Sequence, residues 1–310
     1  MRTRRIGQLE VSVVGLGCNN FGMRIDEAAT RRVVDAALDA GITYLDTADV
    51  YGGTRSEEFL GRALGARRDE VVVATKFGMT GSPDGEHSGG DPAWVRRAVE
   101  DSLGRLGTDR IDHYQLHRPD PDVPVAETLG ALDELVRQGK VRELGCSNFD
   151  AEQLEAAAGA AAERDLTPFR TVQNRYSVLH REPERGVTEA CRRLGMGLVP
   201  YFPLESGLLT GKVSAEGEAP DDSRLSLMDA DRRRSFVTDE RLAAVERLRA
   251  YAADHGRSLL ELAFAWLLAE PSVVSVIAGA TKPDQVTANA AAGGWELTPE
   301  QRAEITALAG

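Results

Sequence analysis

Residues 111–147 read IDHYQLHRPDPDVPVAETLGALDELVRQGKVRELGCS. Ile111 to His117 is a run of strand length, and Val141 to Ser147 is another. Between them Val125, Leu129, Leu132, Leu135 and Val136 recur at three- and four-residue intervals, the stripe of an amphipathic helix. A strand, a crossover helix and a second strand predict a βαβ unit in a parallel sheet.

The same alternation extends in both directions. Further strands are expected at Ser12 to Leu16, Thr43 to Asp46, Val71 to Lys76, Thr171 to Asn174, Met196 to Tyr201 and Val273 to Ile277, which makes eight. Helix ends are legible between them. Asp26 precedes Val33, Val34, Ala37 and Leu38, which Gly41 stops; Asp91 with Pro92 opens a helix carrying Val95, Ala98, Val99 and Leu103; Asp150 with Gln153 forms a capping box. Helices are expected at Asp239 to His255, Leu259 to Ala269 and Asp284 to Ala292, and a last one from Pro299. Eight parallel strands alternating with helices close into a (β/α)8 TIM barrel, expected here as one domain over residues 1–310. Such barrels carry their chemistry on the loops after the strands. Two of those loops are long, Phe77 to Asp91 and Glu205 to Val237, and are candidate lids.

Composition bounds the function. Apolar residues are 42% of the 310 and charged residues 28%, enough for a full core and without the bias of disorder. Net charge is −12, so nucleic acid meets an unfavourable field, and no long Lys/Arg run offsets it. No apolar stretch has the length of a signal peptide core or a membrane span. Cys18, Cys146 and Cys191 are few, odd in number and far apart, against a disulfide framework or a zinc site and in favour of a reducing cytoplasm.

Seven consecutive strand ends deliver polar or aromatic groups to one rim. Asp46 ends the second strand with Tyr51 in its loop; Lys76 ends the third and His117 the fourth. Ser147 and Asn148 follow the fifth, Gln173 and Asn174 lie on the sixth, Tyr201 ends the seventh, and Gly279 to Lys282 follow the eighth. Singly, Asp46 could cap a turn, Tyr51 could pack and His117 could be a satisfied core histidine. Together, a carboxylate, an ammonium, a phenol and an imidazole make a proton-transfer machine. A tyrosine near pKa 10 donates poorly at neutral pH, but the Lys76 ammonium is expected to lower it, with Asp46 holding Lys76 charged and His117 orienting a substrate oxygen.

Other chemistries lack their motifs. Gly15, Gly17 and Asn20 miss the third glycine of a dinucleotide fingerprint, and GLLTGK at 207–212 is one residue short of a phosphate loop and followed by Val213. His87, His113, His117, His180 and His255 show no metalloprotease spacing, and no serine sits in GxSxG.

In the residues just named the chain closely resembles the aldo-keto reductase superfamily over nearly its whole length. RRIGQLEVSVVGLGCNNFG (4–22) resembles that family's N-terminal hairpin and first strand. YLDTADVYGGTRSEEFLGRAL (44–64), ATKFG (74–78), DRIDHYQLHRPD (109–120), GKVRELGCSNF (139–149), VQNRYSVLHRE (172–182), VPYFPLESGLLTGK (199–212) and SVIAGATKPDQVTAN (275–289) follow in its order.

The resemblance implies reduction of an aldehyde or ketone by NADPH lying across the barrel mouth, without metal. It implies Tyr51 as general acid, grouped with Asp46, Lys76 and His117, and Tyr201 stacked on the nicotinamide. Ser147, Asn148 and Gln173 would bind the carboxamide. Gly17 and Asp46 would border the cofactor, and Leu204, Ser206, Gly207, Leu208 and Lys212 would wrap the pyrophosphate. Gly279, Thr281, Lys282, Gln285 and Asn289 would take the adenosine end, where Lys282 favours a 2′-phosphate and hence NADP. The expected partner is a small carbonyl compound in a pocket bordered by Asn20, Phe21, Tyr51, Phe77 and Trp94. Departures from the family pattern are His113, Ala278 and Glu205, the last a carboxylate near the phosphates that must point away or find a basic partner. Two other readings are a Schiff-base lyase acting through Lys76 and a non-catalytic NADP(H)-sensing subunit of a membrane channel. Which carbonyl compound is reduced, and in what oligomeric state, the residues leave open.

Overall fold

The computed structural model describes residues 1–79, 89–221 and 223–310. The chain opens with an antiparallel hairpin, β1 (Thr3–Ile6) and β2 (Leu9–Ser12). Eight parallel strands follow: β3 (Val14–Gly17), β4 (Tyr44–Asp46), β5 (Val72–Phe77), β6 (Ile111–Leu116), β7 (Val141–Ser147), β8 (Phe169–Arg175), β9 (Gly197–Tyr201) and β10 (Val276–Gly279). They are hydrogen-bonded in the order β10, β3, β4, β5, β6, β7, β8, β9. The ring closes through Leu198, whose N–H donates to the Ser272 carbonyl at 2.7 Å and whose carbonyl accepts from Val274 N at 2.9 Å.

The connecting helices are α1 (Glu27–Asp39), α2 (Arg55–Leu64), α3 (Pro92–Leu106), α4 (Val125–Arg137), α5 (Ala151–Glu163), α6 (Val187–Leu194), α7 (Ala230–Phe236), α8 (Asp239–Asp254), α9 (Leu259–Leu268), α10 (Pro283–Ala292) and α11 (Pro299–Ala309). Neighbours pack around the ring, α1 on α2 through α5 on α6, then α8 on α9, α9 on α10 and α10 back on α1. The expected caps form: the Asp26 carboxylate accepts from Ala29 N, Asp91 from Ala93 N and Trp94 N, and Asp150 with Gln153 makes the reciprocal box. No helix among the described residues is long and apolar enough to cross a membrane, and the three cysteines are buried and free.

Two expected strands begin two or three residues later. Ser12 belongs to the hairpin, where its hydroxyl donates to the Val14 carbonyl and accepts from Thr43 N at 2.9 Å, so the barrel strand begins two residues later. The last strand starts at Val276 instead of Val273, because Val273 and Val274 are spent on closing the ring against Leu198.

Strand alternation sorts the side chains. On β5, Val72, Ala74 and Lys76 face the barrel axis while Val73 and Phe77 face the helices. Inside the barrel, Tyr44, Val72, Ala74, Val199, Val274 and Ile277 pack on Ile6, Leu9 and Val11 of the hairpin, which stopper one end. Each buried Val, Leu or Ile among them contributes about 1.5–3 kcal/mol. One level up the interior turns polar. His113 is fully buried, hydrogen-bonded through Nδ1 to Tyr44 Oη and through Nε2 to Thr171 Oγ1, both at 2.9 Å. Gly145 makes room for it, since a Cβ there would lie 2.5 Å from His113 Nε2 and 2.6 Å from Thr171 Oγ1.

Candidate active site

At the open end of the barrel the interior carries charge. Lys76 Nζ donates to Asp46 Oδ1 at 2.5 Å and to the Thr47 carbonyl at 2.8 Å, and both side chains are buried. The other Asp46 oxygen accepts from Gln115 Nε2 at 3.1 Å and Gln173 Nε2 at 2.9 Å. A buried ion pair persists only when its remaining valences are met, and the two amides from β6 and β8 meet those of the carboxylate. Burial works against the Lys76 charge, but Asp46 and Tyr51 outweigh it and raise the ammonium's pKa.

Tyr51 stands over this pair, its ring centroid 5.1 Å from Lys76 Nζ and 5.9 Å from the His117 ring, edge to face. Its loop is drawn tight by Gly52 at φ +61°, where a Cβ would fall 2.4 Å from the Phe21 carbonyl. The expected lowering of the phenol's pKa by Lys76 does not prevail. Burial is the larger effect and Asp46 adds to it, so the phenol lies above its ordinary value while Lys76 pulls it back. His117, desolvated and beside Lys76 and Arg118, is pushed down to about 3. It is therefore a neutral imidazole throughout the working range, with Nδ1 unpartnered among the described residues. Behind Tyr51, Asp49 is pushed up to about 7 by burial and by Glu57, and its Oδ1 has no partner among the described residues.

These groups form one end of a cavity of about 590 Å³, within the range of cofactor and ligand sites. Gly17, Asp46, Tyr51, His117, Ser147, Asn148, Gln173 and Tyr201 line it, and it continues past Leu204, Ser206, Gly207 and Lys212 to Gly279, Thr281, Lys282, Gln285 and Asn289. Lys76 lies beneath its floor. Leu208 stands apart, its side chain fully buried in the core, so only its main chain could serve a ligand. Asn148, at φ +63°, is held at both ends: Nδ2 donates to the His117 carbonyl and to Ser147 Oγ at 3.0 Å, and Oδ1 accepts from Tyr201 Oη at 2.8 Å. Asn174 turns away from the mouth to donate to the Phe149 carbonyl.

Glu205 resolves the concern its charge raised. It is fully buried, accepting from Arg175 Nη2 and Arg241 Nη2 at 2.5 Å and Ser177 Oγ at 2.8 Å. Burial opposes its ionisation, yet the two guanidiniums keep its carboxyl below the usual range. It thus points away from the cavity and ties β8 and α8 to the turn at 205–210, leaving neighbouring Ser206 Oγ buried and without a partner among the described residues beside the cavity.

Three expected pocket residues lie elsewhere. Phe21, Phe77 and Trp94 are in the core; Phe77 follows inward-facing Lys76, so strand alternation turns it outward, where it stacks on Tyr114. Asn20 does line the cavity. Of the first candidate lid, residues 80–88 lie outside the described residues, and Met79 lines the cavity. The second crosses the mouth with Pro220, Ser223, Arg224 and Leu225. Arg24, Arg118, Phe202 and Arg224 also line the cavity and were not singled out from sequence. Arg118 and Phe202 directly follow His117 and Tyr201, a signal that was present; nothing local marks Arg224.

The family model for the aldo/keto reductase family matches residues 13–309. The chain belongs to the aldo/keto reductase family. It is 35% identical over 307 residues to aldo-keto reductase YhdN of Bacillus subtilis (strain 168), covering 97% of this chain and 90% of that protein. It is also 35% identical over 303 residues to probable aldo-keto reductase 1 of Glycine max, covering 96% of this chain and 85% of that one. Among solved structures it is similar to the holo form of aldo-keto reductase AKR11C1 from Bacillus halodurans, with a TM-score of 0.82 and 34% identity, covering all of this chain and 97% of that one. The fold of this family member is the family's barrel, and membership supports an oxidoreductase acting on carbonyl compounds.

Proposed function

We propose that the protein reduces an aldehyde or ketone to the alcohol with NADPH, Tyr51 giving the proton. The observation that carries this reading is the buried line of Asp46, Lys76 and Tyr51, with neutral His117 edge-on to the phenol, in a cavity of about 590 Å³ that continues to Lys282 and Asn289.

The residues present fit that cofactor. Ser206 Oγ is a buried hydroxyl without a partner among the described residues, at the turn expected to meet the pyrophosphate. Lys282 stands at the N-terminus of α10, where helix dipole and ammonium together favour a phosphate, and Gln285 fixes the adjoining turn by accepting from Thr281 N at 2.8 Å. Tyr201, braced through its hydroxyl, offers a flat face for a planar ring. When bound, NADPH supplies the hydride that adds to the carbonyl carbon. Tyr51 Oη transfers its proton to the carbonyl oxygen, and the phenolate left behind is stabilised by the ammonium of Lys76, itself held charged by Asp46. His117 donates a hydrogen bond to the same oxygen and sets its direction.

The same geometry argues against the lyase reading. A Lys76 amine that attacks a carbonyl must be neutral and reachable, whereas this one is buried, raised in pKa and paired at 2.5 Å. The sensing reading is separated by experiment: NADPH oxidation is followed with a panel of aromatic aldehydes and ketosugars for the native protein and Tyr51→Phe. Turnover lost in the variant while NADPH still binds supports a reductase with Tyr51 as donor. Tight binding without turnover on any member of the panel favours a sensor.

A further inference from the structure

Behind the Tyr51 loop, where β5 and β6 face the helices, lies a second set of buried polar groups that the proton transfer does not use. Glu57 of α2 is fully buried. Its Oε1 accepts from Thr75 Oγ1 at 2.5 Å and its Oε2 from Arg105 Nε of α3 at 2.6 Å, while Arg105 Nη2 goes on to Ser102 Oγ at 3.1 Å. Asp49, 9% exposed, feels the charges of both Glu57 and Arg105. Two buried carboxyl groups thus answer to one guanidinium, and its short contact is with Glu57. The Lys76 ammonium is turned to Asp46. Tyr114 of β6 is fully buried with its Oη unpartnered among the described residues, as is Asp49 Oδ1, and Asp49 is the charge that acts on Tyr114 most strongly. Asp101 of α3 also acts on Tyr114, but it is exposed and paired with Arg97. A carboxylate at Asp49 is a second buried negative charge with an orphaned oxygen, which the neutral acid is not. Burial and then Glu57 accordingly push Asp49 up to about 7, against the pull of Arg105, the Val50 main chain and Lys76.

Asp49 stands on the path from Asp46 to Tyr51, and that path is tied to β5. Thr47 N donates to the Ala74 carbonyl at 2.8 Å, the Thr47 carbonyl accepts from Lys76 Nζ at 2.8 Å, and Asp49 N donates to the Lys76 carbonyl at 3.1 Å. The Asp49 amide is the last main-chain hydrogen bond to β5 before Tyr51 among the described residues. A charge that strains Asp49 therefore loosens the tie that seats the phenol.

We infer that Asp49 is a positioning residue of the reaction: as the neutral acid it keeps its loop seated on β5 with Tyr51 over Lys76, and as a carboxylate beside Glu57 it unseats them. This rests on the reading of Tyr51 as proton donor. The groups that serve the proton transfer do not produce such a change themselves. Tyr51 and Lys76 lie above their ordinary values and His117 at about 3, so none of the three changes charge between about pH 6 and 8.

The test measures kcat/KM for the best aldehyde against pH, at saturating NADPH, for the native protein, Asp49→Asn and Glu57→Gln. The native protein is expected to lose activity by about tenfold for each pH unit above about 7. In Asp49→Asn the neutral-pH activity is retained and the fall moves to the alkaline range of the Tyr51 phenol. Glu57→Gln removes the like charge and frees Arg105 for Asp49, and is expected to move the fall downward by about one pH unit or more. These changes belong to kcat and leave the Kd for NADPH unaltered, because Asp49 does not line the cavity. A fall near neutrality that persists in Asp49→Asn overturns the inference, as does a native profile that stays flat up to the range of the phenol. If no aldehyde is turned over, the reductase reading fails by itself, and nuclear magnetic resonance of the protein carrying isotope-labelled tyrosine decides the role of Asp49. A Tyr51 ring signal, assigned by its loss in Tyr51→Phe, that shifts through neutral pH in the native protein and not in Asp49→Asn upholds it. A signal that does not shift, or shifts alike in both, overturns it.

Discussion

Lys76 Nζ lies 2.5 Å from Asp46 Oδ1, both side chains are buried, and the other carboxylate oxygen accepts from the Gln115 and Gln173 amides. Removing one partner of a buried pair leaves the other uncompensated, at a cost of about 3–5 kcal/mol. Asp46→Asn is expected to lower stability by that order in urea unfolding. In the protein that still folds, the proposed role of Tyr51 predicts that kcat falls by about a hundredfold or more, because the ammonium that would stabilise its phenolate is no longer held charged.

Glu205 makes a second test of a buried charge, this time on the segment over the cavity. Glu205→Gln leaves Arg175 and Arg241 facing each other, both stacked on Phe236. The turn at 205–210 is expected to loosen, and NADPH binding, read by fluorescence titration, to weaken by about tenfold or more. Reduction measured at saturating cofactor should change less.

Gly145→Ala places a methyl group 2.5 Å from His113 Nε2, with Thr171 Oγ1 at 2.6 Å on the other side. Neither can move without breaking the hydrogen bond between them. Overpacking of this kind costs about 1–3 kcal/mol, to be read as a fall in Tm, and His113→Ala in the same chain is expected to restore part of the loss by making room.

The pH dependence of stability has opposing parts. His113 and His117 titrate near 3 in the folded chain against an ordinary 6.5, so their contribution is complete above pH 6.5 and lost as pH falls toward 3. Asp49 titrates near 7 against 3.8, so its contribution is complete below about pH 4 and lost as pH rises through 7. Between about pH 4 and 6.5 two histidines outweigh one aspartate, and stability should rise by about 1.4 kcal/mol per pH unit. Asp49→Asn should roughly double that slope in urea unfolding across the window and remove the decline expected just above it.

Much of the fold and of the cavity's layout was legible in the sequence because strand ends and the barrel rim coincide. Lys76, His117 and Tyr201 each lie at or just beyond a strand's carboxyl end, so locating eight strands located them. The same period, applied one residue further, would have turned Phe77 outward; type alone made it look like a pocket wall. Phe21 and Trp94 misled for the same reason, as a large aromatic near a loop is equally at home in a core. Glu205 looked misplaced because its partners, Arg175 and Arg241, stand 30 and 36 residues away in the chain. Arg224 was invisible for a related cause: its segment has neither period nor cap, and only the path of the chain over the mouth gives it meaning.

The hairpin that fills the far end of the barrel has a kinetic implication. With Ile6, Leu9 and Val11 packed beneath the His113 layer, buried side chains fill the barrel below Tyr51 among the described residues. If Tyr51 is the acid, as proposed above, each proton it gives away is replaced from the solvent side, through the same opening by which product departs. Recharging the acid and emptying the cleft are thereby one event, so isotope effects from solvent deuterium should appear in whichever step opens the mouth.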